Sequence, residues 1–374
     1  MSSPALVHVQ RLSDGDAPEP VLESLLAAVG GLEQRVGRGD LVLIKPNFVA
    51  PFPKATTDLT FIDFFVRRVR ELGATPVIGE SSGFEFDTSS AFKVLGVQDF
   101  ARERNVELVD FEKRGEFSDV ALGPGLPSVP IAKLALDAKL IVNLPLLKGH
   151  TITRLTCAVK NLFGLLAKDG RRYLHSHALE PAIAGIARKL PHALHFVDAR
   201  RKLERAVFAE SKPLGYALAG SDPFAVDHFG ARLLGIAPEW VGHLIDVPAY
   251  AIRGHEPAGF PAPCRKNSLA ARLHRALYSA FYRADHLKHE AFGGGSILYD
   301  LHWYLGVHPA LKDVSAEQAA LVAKSCPVGA INAETRTIER RACNTVRCLT
   351  CYREHPTLVE LRGLNRPRRG NLRA

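Results

Sequence analysis

The sequence lacks any apolar run long enough to cross a membrane, and it has few cysteines for its length. No stretch approaches the roughly 18 consecutive apolar residues of a membrane-spanning helix. Residues 1–12 lack the basic start and apolar stretch of a secretory signal peptide. Only six of the 374 residues are cysteine, and four of these lie close together within residues 326–351. Because a secreted protein would spread its cysteines as disulfide bridges, these features predict a metal site in a cytoplasmic protein.

Several nucleotide-binding and catalytic motifs are also missing. No GxGxxG follows the first predicted strand, and there is no Walker loop, so we expect no tightly bound NAD or ATP. There is no G-x-S-x-G nucleophile elbow. Neither a zinc-finger histidine pair nor an RNA-binding aromatic signature accompanies the basic residues. We therefore expect no specific nucleic-acid partner.

What is present is an ordinary globular composition with a basic balance. The chain is 47% apolar and 23% charged, with a net charge of +9 and a pI of about 9.3. Much of the basic excess lies after residue 250. A solvated basic surface is the simplest interpretation, and an acidic redox protein is the partner that the charge favours next.

Apolar strands alternate with helical patterns through most of the chain. This order predicts an α/β fold, with a mostly parallel sheet covered by helices on both faces and a small ferredoxin-like C-terminal unit. The predicted strands lie within residues 41–49, 75–78, 106–111, 140–144 and 193–197. The predicted helices are residues 60–72, 91–103, 180–190, 222–234 and 268–292.

These patterns divide the chain into four parts. Residues 1–235 form the α/β domain, and residues 236–309 form a loop-rich and helical extension. That extension contains a basic amphipathic helix at 268–292, with apolar residues at helical spacing, namely Leu269, Leu273, Leu277 and Phe281. Residues 310–360 form the ferredoxin-like unit, and we expect a disordered tail at 361–374.

The clustered cysteines have the spacing of an iron–sulfur site. Cys326 is followed by proline, and Cys343-x4-Cys348-x2-Cys351 follows it in the sequence. Bacterial ferredoxins combine three closely spaced cysteines with a remote cysteine–proline, and the segment CPVGAI resembles one ferredoxin half. A hairpin at Thr335–Arg340 would return the chain to the triplet. We therefore predict one [4Fe–4S] cluster held by these four cysteines.

Two departures from the bacterial pattern leave alternatives open. The first gap of the triplet is four residues, as in plant-type ferredoxins, so a [2Fe–2S] cluster is the alternative. A zinc ribbon with the same thiolates is a further alternative. His355-Pro356 stands where a second cysteine–proline would be, and no triplet precedes Cys326, so we expect a single cluster.

Polar residues follow several predicted strands, where α/β sheets bind ligands. The basic groups Lys45, Lys148, His150 and Lys160 could bind an anionic oxygen and donate a proton, so we predict that they are catalytic. The predicted substrate-binding residues are Asn47, Asp58, Glu80 and Asn161. The alternatives are that the lysines are simply exposed and that Asn161 caps a helix. A second polar cluster combines Arg171 and Arg172 with His175 and His177.

Five segments in order carry a resemblance to a known family. They are Lys45-Pro46-Asn47, Thr56-Thr57-Asp58, Gly79-Glu80-Ser81-Ser82-Gly83, the run from Leu147-Lys148-Gly149-His150 to Lys160-Asn161-Leu162-Phe163-Gly164, and Ala219-Gly220-Ser221-Asp222-Pro223. Together they resemble domain-of-unknown-function family 362, over about residues 40–235. Members are often fused to a ferredoxin-like module, so the resemblance implies an iron–sulfur protein with a redox role.

These observations together predict an iron–sulfur-dependent reductase. It would pass single electrons from an acidic donor, a ferredoxin or flavodoxin, to a small organic molecule that is unsaturated or oxygenated. One alternative is an electron carrier or binding protein without chemistry of its own. Another is an isomerase or lyase with a structural or Lewis-acid cluster. The sequence leaves a homodimer open.

Overall fold

The computed structural model describes residues 4–83, 86–203, 211–244, 246–262, 269–292, 308–340, 342–343 and 348–362. Its strands are β1 (Ala5–Arg11), β2 (Leu41–Lys45), β3 (Thr75–Glu80), β4 (Glu107–Asp110), β5 (Phe117–Ala121), β6 (Ser128–Ala132), β7 (Leu140–Asn143), β8 (Leu146–His150), β9 (Arg154–Thr156), β10 (Ala193–Leu203), β11 (Ser211–Gly220), β12 (Tyr250–Gly254), β13 (His308–Leu311), β14 (Ile331–Asn332), β15 (Thr337–Ile338) and β16 (Val359–Arg362).

The α-helices are α1 (Glu19–Ala28), α2 (Leu59–Glu71), α3 (Thr88–Val94), α4 (Val97–Glu103), α5 (Phe111–Arg114), α6 (Lys133–Asp137), α7 (Ala158–Asn161), α8 (Lys168–Ser176), α9 (Leu179–Lys189), α10 (Pro223–Leu233), α11 (Leu269–Phe292), α12 (Ala316–Lys324) and α13 (Thr350–Glu354). Short 3₁₀ helices lie at Pro53–Ala55, Leu162–Leu165 and Pro238–Trp240.

The largest element is a ten-stranded sheet with the order β12-β1-β11-β10-β7-β2-β3-β4, to which β8 and β9 attach beside β10. The strands from β10 through β7, β2 and β3 to β4 are all parallel. Only β11 runs antiparallel to both of its neighbours in the main order, β1 and β10. The predicted mostly parallel sheet is therefore confirmed.

Helices cover both faces of this sheet because its central strands are apolar on both sides. In β2, the buried Val42 and Ile44 belong to one core with Phe61 and Phe65 of α2. Leu43, between them in sequence, belongs to the opposite core, which also contains the buried residues of α9. Successive side chains of a strand point to opposite faces, so one strand contributes to both cores. The predicted α/β fold with helices on both faces is confirmed.

The order of the strands changes direction beside β2. The chain first builds β3 and β4 on one side of β2, and it then returns to place β7 on the other side. Such a reversal opens a crevice at the carboxyl ends of the two adjacent strands, where α/β proteins bind ligands. Here the crevice lies between the ends of β2 and β7.

Some elements differ from the sequence-based expectation. The helix predicted at 91–103 is two helices, because Gly96 adopts a left-handed φ of 71° between them. Strand β12 lies within the predicted loop-rich extension, yet it pairs in parallel with β1 of the large sheet. The strands β1 and β11 were not predicted, although they extend the sheet beyond β10.

The C-terminal part is built around two small antiparallel pairs. Strand β13 pairs with β16, so residues at 308–311 and 359–362 meet. Between them, β14 and β15 form a hairpin close to the one predicted at Thr335–Arg340. The buried core of this C-terminal part consists of Val322, Ile331, Cys351 and Val359. The predicted tail lies largely outside the described residues, and the domain boundaries stay predictions.

Candidate functional site

A buried ion pair lies at the carboxyl ends of β2 and β3. Lys45 is the last residue of β2, and its Nζ donates to Oε2 of Glu80, the last residue of β3, over 2.7 Å. The two side chains are 0% and 3% exposed. Burial lowers the pKa of Lys45, and the charge of Glu80 opposes that shift. Two residues predicted for the site are therefore in direct contact.

The Glu80 carboxylate accepts hydrogen bonds from Lys45 and from two backbone N–H groups. Oε2 also accepts from the backbone N–H of Phe48 at 3.0 Å, and Oε1 accepts from that of Ser81 at 2.8 Å. Gly164 lies against the pair, where an added Cβ would meet Oε1 of Glu80 at 2.6 Å and Nζ of Lys45 at 3.0 Å. The glycine at the end of the Lys160–Gly164 segment is thus required by this close approach.

A one-directional chain of hydrogen bonds crosses the crevice. Lys148 Nζ donates to Asn47 Oδ1 at 2.8 Å, and Asn47 Nδ2 donates to Asn161 Oδ1 at 2.7 Å. Asn161 Nδ2 then donates to Asn143 Oδ1 at 2.7 Å. Asn143 Nδ2 lies 2.9 Å from Nδ1 of His195, whose pKa is lowered by burial to about 3. An uncharged His195 accepts at Nδ1, so this series of hydrogen bonds determines the orientation of all three asparagine amides.

Lys148 is nearly dehydrated within this network. It is 4% exposed, and its ammonium contacts only Asn47 Oδ1 and the carbonyl oxygen of Ala55, at 3.1 Å, among the hydrogen bonds of the described residues. Burial, followed by the positive charge of Lys160, lowers the pKa of Lys148 to about 7. A lysine with such a pKa exchanges a proton near neutral pH.

His150, at the end of β8, is held in one tautomer. Its Nδ1 accepts from the backbone N–H groups of Ile152 and Thr153, at 3.1 and 3.2 Å. This pattern assigns the proton of the neutral ring to Nε2. Burial, and then the charge of Lys160, lowers the pKa of His150 well below its usual value. The half-buried ring therefore presents an N–H donor at Nε2.

Lys160 is a cation without an anionic partner in the described part of the chain. Its Nζ lies 5.5 Å from the centre of the Phe163 ring, and none of the described residues forms a hydrogen bond or ion pair with it. Burial, and then the charge of Arg171, lowers the pKa of Lys160 to about 8. Its charge in turn lowers the pKa values of Lys148 and His150. A negatively charged ligand would relieve this concentration of positive charge.

Helix α8 brings part of the predicted second polar cluster into the same site. His175 packs against Phe163 at 5.4 Å between ring centres, and its Nδ1 bonds the Arg171 carbonyl oxygen at 2.7 Å. Burial, and then Lys160, lowers the pKa of His175 to about 3. The buried Arg171 donates to the carbonyl oxygens of Ser81 and Ser82. His177 instead stacks on Tyr173, away from these contacts.

Behind the site, a buried carboxylate orients the segment that carries Lys160. Asp227 accepts from the backbone N–H groups of Ala158 and Val159 at 2.6 and 3.3 Å, at the start of α7. His243 Nε2 lies 3.5 Å from the same carboxylate. Burial, and then Asp227, raises the pKa of Cys157 well above its usual value. This thiol is therefore a buried structural group and not a nucleophile.

One predicted substrate-binding residue lies elsewhere. Asp58 caps α2 by accepting from the Thr60 N–H at 2.9 Å, and it pairs with Arg200 at 2.9 Å. It lines a cleft of about 440 Å³ together with Asp198 and Arg200. No lysine of the crevice contacts its carboxylate among the described residues. The sequence analysis did not assign Asn143, Arg171 or His243 to the site. Asn143 could have been found, because it is the last residue of β7 and α/β sheets bind ligands at strand ends.

The four clustered cysteines line one small apolar cavity. Cys326, Cys343, Cys348 and Cys351 all border a space of about 20 Å³, which Ile331, Ile338 and Leu349 also line. Hydrogen bonds to sulfur are present, from Ala330 N–H to Cys326 at 3.2 Å and from the Thr350 hydroxyl to Cys348 at 3.1 Å. No group of three or more His, Cys, Asp or Glu in the described ranges is arranged to hold a single metal ion.

The donor chemistry of this thiol set is that of thiolate-held metal groups. Soft sulfur donors, an apolar surround and N–H or O–H donors aimed at the sulfurs are the features that iron–sulfur clusters use. Leu349 adopts a left-handed φ of 56° between Cys348 and Cys351, which turns the chain sharply between these cysteines. Burial, and then the neighbouring Cys348 and Cys326, raises the pKa of Cys351 to about 12. The residues between Cys343 and Cys348 lie outside the described part of the chain.

The fold and site define an α/β protein with a buried polar crevice at the switch point of a mostly parallel sheet. The chain belongs to the family described as Domain of unknown function (DUF362), whose model matches residues 42–232. The resemblance inferred from the five sequence segments is thereby confirmed. The crevice residues from Lys45 to Asp227 all lie inside the matched range.

Two known proteins give further comparisons. The "Thylakoid-associated protein sll1697" of Synechocystis sp. is 26% identical over 228 residues, which cover 58% of this chain and 70% of that protein. The lactate racemase apoprotein of Thermoanaerobacterium thermosaccharolyticum is 14% identical, with a TM-score of 0.41, and the match covers 60% of this chain and 55% of the racemase. This TM-score is too low to support an argument. Within the described residues, no helix is long and apolar enough to span a bilayer.

Proposed function

We propose that this protein is an iron–sulfur oxidoreductase that passes single electrons from an acidic donor protein to a small anionic organic molecule. The observation that carries the redox part is the convergence of four cysteines on one cavity, with hydrogen-bond donors directed at two of the sulfurs. Cys326, Cys343, Cys348 and Cys351 would hold the cluster, with [4Fe–4S] favoured over [2Fe–2S]. When bound, such a group supplies one-electron transfer.

The crevice supports an anionic substrate. Lys160 would bind a carboxylate or similar anionic oxygen, because its ammonium has no anionic partner among the described residues. The Nε2–H of His150 would donate a second hydrogen bond and orient the same ligand. Lys45 and Glu80 neutralise each other, so they position the loops rather than bind the substrate.

Lys148 is suited to proton transfer. Reduction of a carbon–carbon or carbon–oxygen double bond consumes two electrons and two protons, and the external donor supplies the electrons. With a pKa of about 7, the Lys148 ammonium can give up one proton near neutral pH, be reprotonated from water and then give up the second. The asparagine chain holds its Nζ in place, since Asn47 accepts from it and is itself fixed by Asn161.

The cluster is tested by anaerobic purification with iron, sulfide and electron paramagnetic resonance measurements. We expect about four iron and four sulfide per chain. Cys348→Ser should lose most of this iron, whereas Cys157→Ala, which removes a thiol outside the cavity, should retain it. Stoichiometric zinc without sulfide would reject the proposal in favour of a zinc ribbon.

The crevice is tested by reoxidation of the reduced protein with a panel of unsaturated and carbonyl-containing carboxylates. Lys148→Ala and His150→Ala should stop reoxidation and keep the iron content, and the exposed Lys93→Ala should behave as wild type. If no panel member reoxidises the protein but it still passes electrons between donor and acceptor proteins, an electron carrier is the better interpretation.

A second candidate is an isomerase or lyase in which the cluster is structural or a Lewis acid. The favouring observation is the pair of lysines, Lys148 and Lys160, whose pKa values near 7 and 8 suit proton transfer without electron transfer. Dependence on a reductant separates the two candidates. Turnover that continues unchanged in an oxidised, donor-free assay would favour the isomerase or lyase.

A further inference from the structure

Helix α11 is attached to the α/β domain by one face. Tyr282 and His286 are buried on that face. The hydroxyl of Ser176, at the end of α8, donates to the Tyr282 carbonyl oxygen at 3.2 Å, and Arg283 Nε donates to the Ser176 carbonyl oxygen at 2.9 Å. These contacts determine which side of the 24-residue helix points away from the domain.

The outward side of α11 is an apolar stripe. Leu273, Leu277 and Leu287 are 56, 70 and 63% exposed, which are large values for leucine. The stripe consists of exposed residues only, namely Leu273, Ala276, Leu277, Ala280, Ala284, Leu287 and Ala291. Together they present on the order of 500 Å² of apolar surface, a patch size that marks interaction sites on soluble proteins. The predicted amphipathic helix is therefore present, but its leucines at 273 and 277 face outward.

The spacing of this stripe is that of a coiled-coil seam. Positions 273, 277, 280, 284, 287 and 291 follow one another at intervals of four and three residues, the heptad pattern by which one helix packs on another. The pattern is the same from either end, so an antiparallel copy matches it. A two-fold axis at residue 282 places Leu277 opposite the partner's Leu287 and Ala280 opposite the partner's Ala284.

We propose that the outward face of α11 is a homodimer interface, in which two copies of the helix pack antiparallel about residue 282. Two stripes would bury on the order of 1,000 Å², at the lower limit for a specific interface, so we expect a dimer of micromolar affinity. Three of the six seam positions are alanine, and the central two, Ala280 and Ala284, let the helices approach closely. A lipid surface needs neither this spacing nor these alanines, so a second copy fits better than a membrane. Arg283 is held by Ser176 and does not oppose the pairing.

The test is a charge-pairing experiment by sedimentation velocity over a micromolar concentration range. Leu277→Glu and Leu287→Lys should each raise the dimer dissociation constant at least about 100-fold, because each buries an unpaired charge in the seam. The double variant Leu277→Glu/Leu287→Lys should recover most of the affinity. In an antiparallel pair the new charges face opposite charges, whereas in a parallel pair they would face like charges.

The control is Leu321→Glu, which changes a half-exposed leucine of α12 and should leave the dimer intact. Circular dichroism melting checks that every variant is folded. A monomeric wild type at high micromolar concentration would overturn the proposal, as would a dimer indifferent to Leu277→Glu or a double variant that fails to recover. A monomer that binds anionic phosphatidylglycerol vesicles, and loses this binding with Leu277→Glu, would assign the stripe to a membrane instead.

Discussion

The buried Lys45–Glu80 pair offers a sharp test of how the crevice is held together. In Glu80→Gln, the side chain keeps its size but loses its charge, and it presents an NH₂ group to neighbours that, among the described residues, all donate to the carboxylate. The Lys45 ammonium and the backbone N–H groups of Phe48 and Ser81 all point at this carboxylate. Breaking a buried pair by removing one charge costs about 3–5 kcal/mol, because the other charge stays buried and unpaired.

The magnitude is measured by urea unfolding followed by far-ultraviolet circular dichroism. A loss of about 3–5 kcal/mol should appear in Glu80→Gln. In the double variant Lys45→Met/Glu80→Gln the loss should be clearly smaller than the sum of the two single losses, because the unpaired charge is then absent. The exposed pair Lys133–Asp137 provides the control, since Asp137→Asn should cost no more than about 1 kcal/mol. A loss below about 1 kcal/mol in Glu80→Gln, or strict additivity, would refute the argument.

Three further predictions follow from the same geometry. The folded protein releases the Lys148 proton near pH 7, whereas the unfolded chain holds it up to about pH 10.5. Between these pH values the unfolded state binds more protons, so the free energy of unfolding should rise with pH. Lys148→Met should flatten that rise in urea titrations from pH 6 to 10, and an unchanged slope would show that the lysine is solvated. Gly164→Ala should cost about 1–3 kcal/mol because its Cβ would meet Glu80 and Lys45, whereas Gly259→Ala, which meets nothing within 4 Å, should be neutral. Reduction by an acidic donor protein should slow steeply as salt rises, since charges are screened beyond roughly 8–10 Å, and a stopped-flow rate indifferent to salt would remove the charge argument for that partner.

Much of the fold could be predicted because its signals are local. The apolar runs at β2, β3 and β7 identify buried parallel strands, and the polar residue at the end of each strand lies where the crevice forms. Lys45 and Glu80 were predicted for the site on this basis, and the structure brings them into contact. The strands β1, β11 and β12, which extend the sheet beyond β10, were not predicted, because their place depends on pairing between segments far apart in the chain.

Sequence alone was enough to identify the strand-end residues, the family and the spacing of the four cysteines, because each depends on residues that lie near one another in the chain. Which polar residues contact one another could be seen only in the folded chain. Asn47 donates to Asn161 across 114 residues of sequence, and Asn161 in turn donates to Asn143. Asp58 turns instead toward Arg200. Periodicity identified α11 as amphipathic, but it could not say which face is covered. That was decided by α8, whose packing on one side of the helix leaves the leucine stripe on the other side in solvent.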